Sequence, residues 1–131
     1  MTRARPDDQA AGHLAISPAL RDALATWLAH IAALDGASDN TVNAYRADLA
    51  GFLHFLAHHH GGAAGMAQLR AVETRDMRAW MAAARAKGRG ARSLARTLSA
   101  LKGFARWLAE REDGFDATAI LSARAPRHQR P

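Results

Sequence analysis

The chain contains no cysteine. That excludes disulfides and thiolate metal sites, and it suits a reducing, cytoplasmic setting. No apolar run approaches the roughly eighteen residues that a membrane span needs. The first residues, MTRARPDDQAAGH, lack the hydrophobic segment of a secretory signal. Proline is absent between Pro18 and Pro126, and no stretch alternates apolar with polar residues. With β-branched residues also scarce, strands are not expected. No acid lies between Asp76 and Glu110. There is no Gly-rich phosphate loop, no nucleophile elbow and no carboxylate pair, so neither a cofactor nor an active site is expected in these 131 residues.

What remains is helical. Apolar residues make up 49% of the chain, enough for one ordinary domain with its own core. Ser17-Pro18 supplies a cap and a first-turn proline. Leu20, Leu24, Trp27, Leu28 and Ile31 then share one face up to Asp35-Gly36. A second helix opens at Ser38-Asp39-Asn40, where any of the three side chains could cap. It carries Val42, Tyr45, Leu49, Phe52, Leu53 and Leu56 and closes at the His58-His59-His60-Gly61-Gly62 run. Residues 61–68 are small and Gly-rich and read as a loop. A third helix starts near Thr74, with Asp76 in its first turn, where the macrodipole favours an acid. Gly88-Arg89-Gly90 breaks the chain before a fourth helix over about Arg92–Glu112. Ile120-Leu121 fits a last helical turn. The expected fold is all-α, a compact four-helix bundle with orthogonal packing and a short fifth turn. Residues 1–16 are expected to be a flexible arm, 17–116 the helical domain, and 117–131 a C-terminal segment and linker.

Charge is distributed unevenly. Residues 1–69 hold four Arg against six acids, and residues 70–131 hold fourteen basic residues against six acids. All but Lys87 and Lys102 of the eighteen basic residues are Arg. That enrichment suits bidentate phosphate contacts, and it equally reflects a GC-rich genome. In the fourth helix Leu94, Leu98, Leu101, Ala105 and Leu108 form an apolar stripe, and Arg92, Arg96, Ser99 and Arg106 lie opposite with Lys102 beside them. Solvated faces usually mix signs, so an unmixed basic face implies something offsetting, and a polyanion fits. Small residues among the arginines (Ser93, Ser99, Ala100 and Gly103) would let the helix sink into a groove. The second helix adds Thr41, Asn43 and Arg46. Asn43 can pair with adenine, and Arg46 with guanine or phosphate. About five phosphate contacts would give log K against log salt a slope of about −4 to −5. The rival is a basic module that docks an acidic protein partner.

Two features have blander explanations. Tyr45, the only tyrosine, sits on an apolar stripe and is expected to pack rather than act as a nucleophile. His54 and His58 stand at metal-chelating spacing, but no third ligand is near in sequence, so no metal is expected.

The segments NTVNAYRADLAGFLHFL (40–56) and GARSLARTLSALKGFARWL (90–108), with VETRDMRAWM (72–81) between them, resemble the SAM-like core-binding domain of tyrosine recombinases, the phage-type integrases. The likeness is greatest to the Xer recombinases of the XerC type. It implies an N-terminal domain that forms half of a clamp around double-stranded DNA at a recombination half-site, serving DNA integration or chromosome dimer resolution before cell division. Its second and fourth helices would face the major groove. The site residues so implied are Thr41, Asn43, Arg46, Arg92, Ser93, Arg96, Ser99 and Lys102, to which the basic turn before the fourth helix adds Lys87 and Arg89. The resemblance further implies a XerD-like partner in a tetrameric synapse and a catalytic domain that these residues do not include. The tail APRHQRP (125–131) resembles the linker toward it. The chain is therefore expected to be a fragment, monomeric alone, that binds DNA weakly and cleaves nothing.

Overall fold

Helix starts in this chain fall where a side chain can meet the unpaired backbone N–H groups. Ser17 Oγ accepts from the Leu20 N–H at 3.1 Å, and Pro18 follows as the first helical residue. Of the three possible caps at 38–40, Ser38 serves, accepting from the Thr41 N–H at 3.1 Å. The Asp76 carboxylate reaches back to accept from the Glu73 N–H at 2.8 Å. The computed structural model describes residues 16–126. Its helices are α1 (Pro18–Leu34), α2 (Asp39–His60), α3 (Met66–Arg70), α4 (Thr74–Ala86), α5 (Ala91–Arg111) and α6 (Thr118–Leu121). Among the described residues there is no strand, only an isolated bridge between Ile16 and Ala64.

Helix ends are set by glycine at two places that matter for the site. Gly61 has φ 72°, its N–H donates to the His58 carbonyl at 3.2 Å, and the Gly62 N–H donates to the Ala57 carbonyl at 3.0 Å. The same pair of bonds recurs after α4. There Gly88 has φ 92° and donates to the Arg85 carbonyl, and Arg89 donates to the Ala84 carbonyl. Both are left-handed turns that a side chain would strain. The second one turns the chain so that Arg89 stands at the foot of α5.

α5 is the central element, packing against α1, α2 and α6, while α2 also packs on α1 and α4. The stripe expected on the fourth helix is the buried one: Leu94, Leu98, Leu101, Ala105 and Leu108 are all inside. Phe52, Leu49, Leu53 and Leu56 of α2 are fully buried opposite them. Each such side chain contributes about 1.5–3 kcal/mol on burial. Trp27 of α1 stacks on Tyr45 at 6.1 Å between centroids and tilts against Phe104 at 5.7 Å. Tyr45 is thus a packing residue, as its place on the stripe implied.

Two expectations change. The stretch 61–68 is not wholly loop, because α3 begins at Met66. Leu69 anchors it at 1% exposure, and Gln68 Oε1 accepts from the Gly65 N–H at 2.9 Å. A helix of this length owes its existence to packing, not propensity. Residues 1–15 of the expected arm and 127–131 of the expected linker lie outside the described residues. Ile16 is buried at 5%, and the Ser17 N–H donates to the Ala64 carbonyl at 2.8 Å. Phe115, Ala117 and Ile120 join the same core, so the packed body continues through α6.

Candidate nucleic-acid interface

The site is built from the pairing of α2 with α5, and its centre is a residue that the sequence patterns did not pick out. Asp48 of α2 is buried at 7%. A charged group so placed requires a partner, and α5 provides one. Arg96 Nε donates to Asp48 Oδ2 at 2.7 Å and Nη2 donates to Oδ1 at 2.9 Å, a bidentate pair. Arg89 Nη2 lies 3.6 Å from the same Oδ1. Hydrogen bonding to Asp48, reinforced by its charge, raises the Arg96 pKa above its ordinary value. A signal for Asp48 does exist in the sequence. It stands three residues after Tyr45 and four before Phe52, so it falls on the buried side of α2, where an unpaired carboxylate would be costly.

Arg89, in the turn before α5, is held further by side chains of that helix. It donates to Ser93 Oγ from Nε at 3.0 Å and from Nη2 at 2.6 Å, and Nη2 also donates to Thr97 Oγ1 at 2.6 Å. Thr97 is fully buried. Arg89, Ser93 and Arg96 therefore form one internal network with Asp48 and Thr97. On α2, Asn43 Oδ1 accepts from Arg46 Nη1 at 2.7 Å, both residues being exposed. Thr41, half-buried, accepts from the Ser38 hydroxyl at 3.1 Å. Lys87, Arg92, Ser99 and Arg106 are exposed, and Lys102 is half-buried. None of these five carries a side-chain bond within the described residues. Arg92 lines an open recess with Gly90, Ala91, Ala95 and Pro126.

Three sequence arguments need correction. The basic run without an intervening acid is offset in part from within, by a carboxylate 48 residues from Arg96. Ala100 and Gly103 do not thin the outer face for a groove. Ala100 is buried at 1%, and a Cβ on Gly103 would stand 3.0 Å from Trp27 Cζ2. Ser93 is occupied by Arg89, which leaves Ser99 as the one outward small residue of the four.

The histidine run closes α2 against α4. His59 and His60 Nε2 lie 3.3 and 3.8 Å from Asp76 Oδ1, and His59 stacks on Phe55 at 5.1 Å. Among the described residues no three potential ligands gather around a metal position. No helix there is long and apolar enough to cross a membrane.

An all-α domain with a basic face on its central helix is defined by these observations, and comparison places it. Residues 24–112 match the phage integrase N-terminal SAM-like domain, and the chain belongs to that family. Among its relatives, tyrosine recombinase XerC of Rhodospirillum centenum is 41% identical over 117 residues, covering 89% of this chain and 34% of that protein. Tyrosine recombinase XerC of Methylobacterium nodulans is 45% identical over 114 residues, covering 87% and 35%. That of Mesorhizobium japonicum is 38% identical over 110 residues, covering 84% and 35%. The chain thus spans about a third of the length of these relatives. No solved structure matches it.

Proposed function

We propose that this domain is the DNA-binding N-terminal part of a XerC-like tyrosine recombinase, which clamps a duplex half-site with α2 and the outward face of α5. The observation that carries this is the α5 face. Arg92, Arg96, Ser99 and Arg106 are exposed together with no acid on the helix before Glu110, and the opposite face is entirely core. Such a surface attracts a polyphosphate backbone, whose counterions leave as arginines replace them. Base readout would fall to the exposed groups of α2 beside it, Asn43 and Arg46. Strand exchange, a XerD-like partner protomer in a tetramer, and a role in chromosome dimer resolution before cell division would belong to a longer protein that carries this domain; the tyrosine recombinase XerC relatives support that reading.

An amide chemical-shift titration with a short duplex carrying a Xer-type half-site, beside a scrambled duplex, tests the proposal. Shifts centred on residues 41–47 and 87–106, larger for the half-site, are expected. Equal shifts with both duplexes would leave backbone binding alone and move specificity to another domain. No shifts at low salt would reject DNA as the ligand and favour an acidic protein partner.

A further inference from the structure

Two arginines of the proposed DNA face share one carboxylate, and that carboxylate is far more deeply placed than either. The Asp48 side chain is 6% exposed, that of Arg96 50% and that of Arg89 28%. A side-on, two-bond pairing fixes the plane of a guanidinium as well as its position. The bonds to Asp48 use Nε and Nη2 of Arg96, and Nη1 takes no part in them. Arg89 is fixed by Ser93 and Thr97 in addition. Asp48 gives its charge to both arginines, and what it neutralises is not available to neutralise a phosphate.

We infer that Asp48 is a positioning residue of the DNA face: it sets the orientation of Arg96 and Arg89 and withholds about one unit of their charge from the DNA backbone. This rests on the DNA reading above. The consequence runs against the usual effect of damaging a buried network. Asp48→Asn keeps the shape and removes the charge, so it loosens the two guanidinium groups while making the face more basic. Generic duplex binding should tighten, although the fold is weakened.

The test pairs two measurements on the chain as it stands. The first is the exchange rate of arginine Nε–Hε protons, followed by NMR without DNA. In the wild type the Arg96 proton should exchange at least several-fold more slowly than that of Arg92, which has no partner among the described residues, and Asp48→Asn should abolish the difference. The second is fluorescence anisotropy with a short mixed-sequence duplex across a salt series. Asp48→Asn should bind several-fold more tightly at low salt, with a slope of log K on log salt steeper by about 0.9, one more phosphate neutralised. Asp48→Glu, which keeps the charge, should return the wild-type slope. Equal Arg96 and Arg92 exchange in the wild type would overturn the inference, and that comparison needs no variant to fold. A wild type that binds, with an unchanged slope in Asp48→Asn, would overturn this inference and leave the DNA reading standing. A wild type that binds no duplex at low salt would overturn the DNA reading, and this inference with it.

Discussion

Arg92 and Arg96 look equivalent on a helical wheel, yet their replacement by alanine should differ sharply in stability. Arg96→Ala deletes two charge-assisted hydrogen bonds, at 2.7 and 2.9 Å, from a carboxylate only 6% exposed. Stranding one partner of a fully buried pair costs about 3–5 kcal/mol. Two features lower that figure here. Arg89 remains 3.6 Å from Asp48, and the Arg96 side chain is half exposed, so water already screens its side of the pair. A loss of about 1–3 kcal/mol is expected. For a domain of this size that is a fall in Tm of about 4–12 °C. Arg92→Ala removes an exposed side chain without a bonding partner among the described residues and should stay within about 0.5 kcal/mol of the wild type. Thermal unfolding followed by far-UV circular dichroism separates the two directly. Combining Arg96→Ala with Asp48→Asn should recover part of the loss, because no buried charge is then left unpaired. If Arg96→Ala melted with Arg92→Ala, the Asp48 pair would contribute nothing to the fold and the account of the network would be refuted. The distinction bears on function. A binding defect in Arg92→Ala would report the proposed DNA contact itself, whereas one in Arg96→Ala must first be cleared of unfolding.

Two further predictions concern other parts of the molecule. Gly103→Ala would bring a Cβ to 3.0 Å from the Trp27 ring, which is itself packed against Tyr45 and Phe104. Overpacking of about 1–3 kcal/mol should exceed the helix-propensity gain of about 1 kcal/mol, giving a lower Tm, whereas Gly51→Ala, with open space around its Cβ, should raise the Tm by the propensity term alone. The hydroxyl and N–H of Thr118 hydrogen-bond the Asp116 carboxylate and hold its pKa below the usual carboxylate range. A lowered folded pKa means that the support is complete above the unfolded value of about 3.9 and is lost as pH falls through the folded one. Amide shifts of residues 119–122 should therefore stay constant from neutral pH to about pH 4 and move only below it; movement between about pH 5 and 7 would assign control of α6 to another group.

The helices that were plain in the sequence are those that bury a continuous stripe. α5 repeats leucine at three- and four-residue steps over its whole length, and every member of that stripe is inside. α1 announces itself through Ser17-Pro18, and its five stripe residues are the buried ones. α3 was hidden because five residues cannot show a period, and because the glycines before it suggest a turn. Its evidence is tertiary: Leu69 in the core and Gln68 on the Gly65 N–H. Gly103 misled for a related reason. A small residue on a helix marks a close approach, but not which neighbour approaches, and here it is the indole of Trp27.

The same distinction between local pattern and tertiary partner bears on how many charges the face offers to DNA. About five phosphate contacts would give a salt slope of about −4 to −5. Charge compensation is not confined to a helix's own neighbours, however, and Asp48 reaches the face from α2. Of the basic residues assigned to the turn before α5 and to α5 itself, Lys87, Arg92, Lys102 and Arg106 carry no side-chain bond within the described residues, whereas Arg89 and Arg96 are committed to Asp48, Ser93 and Thr97. If each of the four uncommitted groups meets one phosphate, the slope is about −3 to −4. The shallower value is therefore expected for the wild type. Removing the Asp48 charge should carry it toward the steeper one. A wild-type slope already beyond about −5 would mean that DNA pulls both arginines away from Asp48, so that the pairing belongs to the free domain alone.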